Sequence, residues 1–357
     1  RVVIGTGIGS LGEKARQRLN RLVSVSRRGL LARRRSPELT NTQEGTGGPP
    51  PVTKESEILE SALDDYDKAR EEAADGKLPA SLSMGDELAE YQERLVFFNG
   101  FGGFSADGRE YVILLRDGVT TPAPWINVVS NPKAGFIISE SGAGYTWTEN
   151  SRENKLTPWS NDPVLDPPGE AVYLQDVDTG ELWSPTASPI RERKPYVVAH
   201  GQGYSRFFHD SRGIQQTLWT FVPLQDPVKI YRLRLKNHSA DVRRLAVGFY
   251  CEVTLGVHRQ LTEQQIITGF DETSRAVLAR SSFRDSIYGN RVAFAATSLE
   301  DFSFTGNRLE FIGRHGTLKQ PAGMTASALS GQVGAGLDPC IAIKGYFELQ
   351  PGEETDV

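Results

Sequence analysis

From residue 95 onward the apolar positions fall in short runs with no helical spacing. The runs lie at 110–115, 136–139, 171–174, 196–199, 216–221, 229–235 and 244–250. Some alternate apolar with polar residues, and others are apolar throughout. Turn residues separate them: Asp107-Gly108, Asp117-Gly118, Asp178-Thr179-Gly180, Asn237-His238-Ser239 and Thr305-Gly306-Asn307. Short runs bounded by such turns predict hairpin-connected strands. The fold expected is mainly β: a large two-sheet antiparallel sandwich over 95–357.

The first 94 residues read differently. Ile58, Leu59, Leu63, Tyr66 and Ala69 recur at three and four, which predicts a helix over 56–75. A second short helix is expected near 85–94. Residues 45–51 are rich in Gly and Pro and read as a linker. The segment 36–94 is thus a linker with acidic helices. Residues 1–35 carry ten Lys/Arg against one acid, Glu13. They read as a basic tail or the remnant of an upstream region. The stretch 14–23 has the spacing of a basic amphipathic helix, suited to an anionic membrane face, or it is solvated. The glycines at 5, 7 and 9 suggest no role. Both ends look cut, so the chain reads as a fragment.

Composition narrows the class. There are 36 Gly and 20 Pro, and the net charge is −5. Abundant turn formers favour strands, and the acidic balance argues against a nucleic-acid partner. The two cysteines, Cys251 and Cys340, cannot form a disulfide framework or a zinc knuckle and read as buried thiols. No apolar run reaches the roughly 18 residues that span a bilayer.

The densest chemistry lies at 141–163. Tyr145, Trp147, Glu149, Arg152, Trp159 and Asn161 crowd one turn-rich stretch. Aromatic faces stack on the C–H patches of a pyranose, while Arg, Asn and carboxylates bond its hydroxyls. The alternative is a loop held by its own Asn and Asp turns, with the tryptophans in the core. Glu149 with Asp162 has the makings of an acid/base pair, though carboxylates this close to turns more often serve structure. His200-Gly201-Gln202-Gly203 is glycine-rich, but no helix follows to make it a phosphate cradle. His200 and His209 are weak metal candidates.

Several longer runs carry a resemblance. They are NGFGGFSADGREY at 99–111, TPAPWINV at 121–128, SESGAGYTW at 139–147, NSREN at 150–154 and LTPWSNDP at 156–163. WSPT at 183–186, HGQGYS at 200–205, FIGR at 311–314 and LDPC at 337–340 follow. Over about 95–357 the chain resembles glycoside hydrolase family 94, formerly glycosyltransferase family 36. The match is to the phosphorylase-like region of cyclic β-1,2-glucan synthases. The resemblance implies a galactose-mutarotase-like super-sandwich that precedes a helical linker and an (α/α)6 barrel. It places the general acid, an Asp, and the phosphate site in that barrel, so no catalytic residue falls in this chain. Inorganic phosphate is then a co-substrate of the parent, with no other cofactor and no metal. Arg152 matches the family position that reaches toward the acceptor sugar. Glu153-Asn154-Lys155 stands where the disaccharide phosphorylases are richer in Arg. The implied partners are a β-glucan oligosaccharide, the downstream barrel and a second copy of the chain in a homodimer. The implied location is the cytoplasmic side of a membrane-associated bacterial enzyme. The competing expectations are a stand-alone glucan-binding module and a structural or dimerisation domain.

Overall fold

The computed structural model describes residues 2–8, 84–283 and 287–357. The described chain opens with β1 (Val2–Ile8). It resumes with helix α1 (Met84–Arg94), then β2 (Gly102–Phe104) and β3 (Glu110–Leu115). Next come β4 (Ile126–Ser130), β5 (Ala134–Ser139) and β6 (Gly144–Thr148). After a long loop follow β7 (Glu170–Asp176), β8 (Leu182–Trp183), β9 (Tyr196–Gly201), β10 (Tyr204–Ser211) and β11 (Ile214–Phe221). β12 (Val228–Asn237) and β13 (Arg243–Glu252) are the long central strands. β14 (Ile266–Asp271), β15 (Ala276–Ser281), β16 (Arg291–Thr297), β17 (Phe302–Asn307), β18 (Pro339–Leu349) and β19 (Glu354–Asp356) complete the set.

Among the described residues every strand pairing is antiparallel. One sheet has eleven strands in the order β14-β15-β16-β1-β12-β11-β10-β9-β3-β2, with β19 also on β12. A second has five, β17-β18-β13-β7-β8. The third, β4-β5-β6, is a small sheet beyond the two expected. One core joins all three. It gathers Ile113, Val198 and Leu233 from the large sheet, Leu174, Phe249 and Ile343 from the second, and Phe136 and Ile138 from the third. Alternating inward residues of facing sheets make this kind of core.

One expectation needs correction. Residues 2–8 are not part of a tail. β1 lies between β12 and β16, pairing with both, and Val2, Val3 and Ile4 are buried. A central strand buried on both faces reads as an apolar run, here Val-Val-Ile. Gly5 belongs there because a Cβ would collide with the Val228 side chain and the Pro227 carbonyl. The short helix expected near 85–94 is present as α1, and it docks on the large sheet. Leu88 and Tyr91 of α1, with Leu95 and Phe98, pack on Val112, Leu114, Val197, Ala199 and Phe208. The basic stretch 14–23 and the helix expected over 56–75 lie outside the described residues.

One carboxylate fastens the three sheets. Glu170 of β7 accepts from Thr146 Oγ1 of β6 at 2.5 Å, from Thr157 Oγ1 at 2.6 Å and from Lys229 Nζ of β12 at 2.7 Å. The Tyr231 hydroxyl donates to it as well. Burial alone would raise the Glu170 carboxyl, but the Lys229 ammonium and these donors bring it below the usual carboxylate range.

Candidate functional site

The strand β6 and the loop after it build the candidate site. Tyr145 and Trp147 are two apart on a strand, so both point to the same face. Their ring centroids lie 5.2 Å apart, and the Trp159 ring stands 5.3 Å from that of Tyr145. Trp147 lies over Gly135 of β5, where a Cβ would strike the indole. The Tyr145 ring is largely buried, while Trp147 and Trp159 keep part of their surface in solvent. Burial raises the Tyr145 hydroxyl above its usual value, so it stays protonated and donates to the Ser151 carbonyl at 3.2 Å.

Residues 149–155 form a firm hairpin. Asn150 Oδ1 accepts from the backbone N–H groups of Arg152 and Glu153, both at 2.9 Å. The buried Asn154 donates to Thr148 Oγ1 at 2.8 Å and to the Thr148 carbonyl at 2.9 Å. Lys155 bridges onward to Gly256 and sends Nζ to the Val257 carbonyl at 3.1 Å. Arg152 sits at the tip with its side chain 83% exposed, 3.4 Å from its neighbour Glu153. A fixed backbone thus presents a guanidinium outward.

The other candidates go elsewhere. Glu149 adopts a left-handed φ of 61° and pairs with Arg291 of β16. Asp162 Oδ1 accepts from the N–H groups of Val164 at 2.9 Å and Leu165 at 3.0 Å, a local turn. Glu149 and Asp162 thus bond to separate partners. Asn161 is exposed with φ 47°, a conformation Asn tolerates better than most residues.

Comparison with known proteins decides the family. The model of the glycosyl hydrolase 94 supersandwich domain matches residues 109–357. The chain belongs to this family. The cyclic beta-(1,2)-glucan synthase of Rhizobium meliloti (strain 1021) is 36% identical over 286 residues, covering 80% of this chain and 10% of that protein. The N,N'-diacetylchitobiose phosphorylase of Vibrio proteolyticus is 28% identical, covering 71% of this chain and 32% of its own. The solabiose phosphorylase of Paenibacillus borealis is 26% identical over 72% and 34%. The supersandwich chain therefore spans from a tenth to about a third of these relatives. Among solved structures, a galactose mutarotase related enzyme from Lactobacillus acidophilus overlaps 65% of it at 10% identity and a TM-score of 0.34.

Within the supersandwich, both weak metal candidates serve as struts. His209 lies stacked on Tyr196, with Nδ1 2.9 Å from the Pro195 carbonyl and Nε2 3.0 Å from Glu192. His200 Nε2 donates to the Trp125 carbonyl at 3.1 Å, and Nδ1 meets Ser205 Oγ at 2.9 Å. Burial pushes the His200 imidazole down to about 4, against the pull of the Trp125 carbonyl. The unfolded chain would bind this proton near pH 6.5. Stability is therefore lost as pH falls from about 6.5 toward 4, the range in which only the unfolded state is protonated. His200 is expected to make the domain about 2 kcal/mol less stable at pH 5 than at pH 7. Denaturant unfolding at both pH values checks this. A His200→Gln variant should show the smaller drop, and equal drops would refute the assignment.

Sequence reading missed the polar residues that hold the site in place. Glu140, inside the SESGAGYTW run, accepts from the Trp125 N–H at 2.7 Å and from the Thr121 hydroxyl. Asp166 accepts from Ser139 Oγ at 2.6 Å and Ser141 Oγ at 2.7 Å, pinning the long loop to β5. Their partners lie far along the chain, so spacing carried no signal.

Proposed function

We propose that this chain is the carbohydrate-binding and substrate-shaping domain of a β-glucan phosphorylase-like glycosyltransferase. The parent transfers glucosyl units with inversion between a β-glucan and inorganic phosphate, in cyclic β-1,2-glucan synthesis or in control of chain length. The observation that carries this reading is the Tyr145–Trp147–Trp159 aromatic group beside the fixed hairpin that presents Arg152. The names of the matched relatives supply the sugar class. A downstream (α/α)6 barrel supplies the acid, which protonates the leaving oxygen while phosphate attacks. This chain contributes binding and orientation, and it acts at the cytoplasmic side of the membrane.

Calorimetric titration with β-1,2-linked gluco-oligosaccharides tests the binding role. Heat is expected at millimolar ligand, corresponding to about −4 kcal/mol. Trp159→Ala should weaken binding at least fivefold. With sophorose and phosphate the chain alone should release no glucose 1-phosphate. Absence of heat at millimolar ligand would leave only a structural role for the domain. Release of glucose 1-phosphate would place chemistry in it.

A further inference from the structure

Three of the sequence runs that the Tyr145 site does not use converge at the other edge of the small sheet. Strand β3 pairs with β9 so that Glu110 stands opposite Gly201. This register sets the tip of the β2–β3 hairpin beside the tip of the β9–β10 hairpin. Asn127 of β4 ties the second tip down, donating to the carbonyls of Gly201 at 3.0 Å and Tyr204 at 2.8 Å, and to Ser205 Oγ at 3.1 Å. The runs at 99–111, 121–128 and 200–205, far apart in the chain, thus meet around one open pocket of about 330 Å³.

The pocket wall mixes apolar faces with hydrogen-bonding groups. Phe104 is 43% exposed and meets Tyr111 edge-on at 5.0 Å. Val128 adds an aliphatic face. Glu110 is held by the Tyr204 hydroxyl at 2.6 Å and by Arg206 at 2.9 Å. Each of its oxygens retains acceptor capacity for another donor. The Arg109 side chain is 80% exposed and only 3.8 Å from Asp107, and the exposed Gln202 brings both a donor and an acceptor. The Glu110 charge is matched by Arg206, and His200 has both ring nitrogens committed. No net field therefore favours an anion or a cation. Aromatic edges with paired donors and acceptors suit a neutral polyhydroxylated ligand. The volume stands near the lower end for small-molecule sites, enough for about one or two pyranose rings.

We propose that this pocket is a second saccharide site, which holds the end of a neutral β-linked gluco-oligosaccharide. Its β4 wall lies across the small sheet from Tyr145 and Trp147 of β6, with about 10 Å between the two strands. A chain bound at both edges would be gripped at two points rather than one. The inference rests on the proposed function only for the choice of glucan.

Amide-resolved NMR titration of the whole chain with β-1,2-gluco-oligosaccharides tests it. Saturable shifts are expected at Arg109, Asn127, Gln202 and Gly203, separately from any at 145–161. Phe104→Ala and Gln202→Ala should each weaken the first set at least threefold, while Trp159→Ala leaves it unchanged. Shifts confined to 145–161 would overturn the second site and leave the proposed function standing. Shifts confined to the pocket would do the reverse. No shifts at either place would sink both, and a titration unaffected by both pocket variants would also overturn the second site.

Discussion

Replacing Glu170 with Ala is expected to cost about 3–5 kcal/mol of unfolding free energy, the range for breaking one side of a buried ion pair. The substitution leaves Lys229, 1% exposed, without its counter-charge. It also strands the hydroxyls of Thr146, Thr157 and Tyr231, which now donate to that carboxylate. Such a loss takes a large share of the 5–15 kcal/mol typical of a folded domain. Denaturant unfolding measures it directly. If the single variant does not fold, the double variant Glu170→Gln/Lys229→Met keeps the test sharp. Removing both charges should recover most of the loss, because the remaining groups can pair or pack without an isolated ion. A loss below about 1 kcal/mol in Glu170→Ala would show that the three sheets do not depend on this carboxylate.

The same cluster shows where reading the sequence stops. Glu170 and Lys229 are 59 positions apart. Each begins or interrupts an apolar strand run, so nothing local marks them as partners. By contrast, Tyr145 and Trp147 stood out by the density of aromatic and polar residues in one short stretch, although that stretch, read as a turn-rich loop, begins with strand β6. Trp159 joined them because the loop returns within a few residues. The hairpin turns were legible for the same local reason. At Gly108 and Gly203 the backbone has positive φ, 70° and 91°, which glycine adopts without strain. β1 escaped notice because Gly5 and Gly7 interrupt its apolar pattern, and because its partners, β12 and β16, lie more than two hundred residues away. The third sheet escaped because alternation predicts strands, not which sheet a strand joins. Burial pattern alone does not separate β4 and β5 from the sandwich. What sets them apart is their pairing, β4 with β5 and β5 with β6, which the residue pattern of a single strand does not carry.

In the full-length parent enzyme, Arg152→Ala is expected to lower kcat/KM for β-1,2-gluco-oligosaccharides at least tenfold, about 1.4 kcal/mol. The argument lies in the hairpin. Its backbone is fixed by the Asn150 turn, the Tyr145 hydroxyl and the buried Asn154. Holding Arg152 in place therefore costs little further backbone entropy when sugar binds. The guanidinium is left with one contact, to the adjacent Glu153, which is exposed and contributes little. A planar fork bonds two neighbouring hydroxyls at once, which a lysine ammonium cannot reproduce. Arg152→Lys should therefore recover only part of the loss. The effect should appear mainly in KM, since the acid that protonates the leaving oxygen belongs to another domain in this reading. Steady-state kinetics of the two variants decide the matter. A kcat/KM within twofold of the unaltered enzyme for Arg152→Ala would remove this residue from the site and leave the aromatic group to act without it.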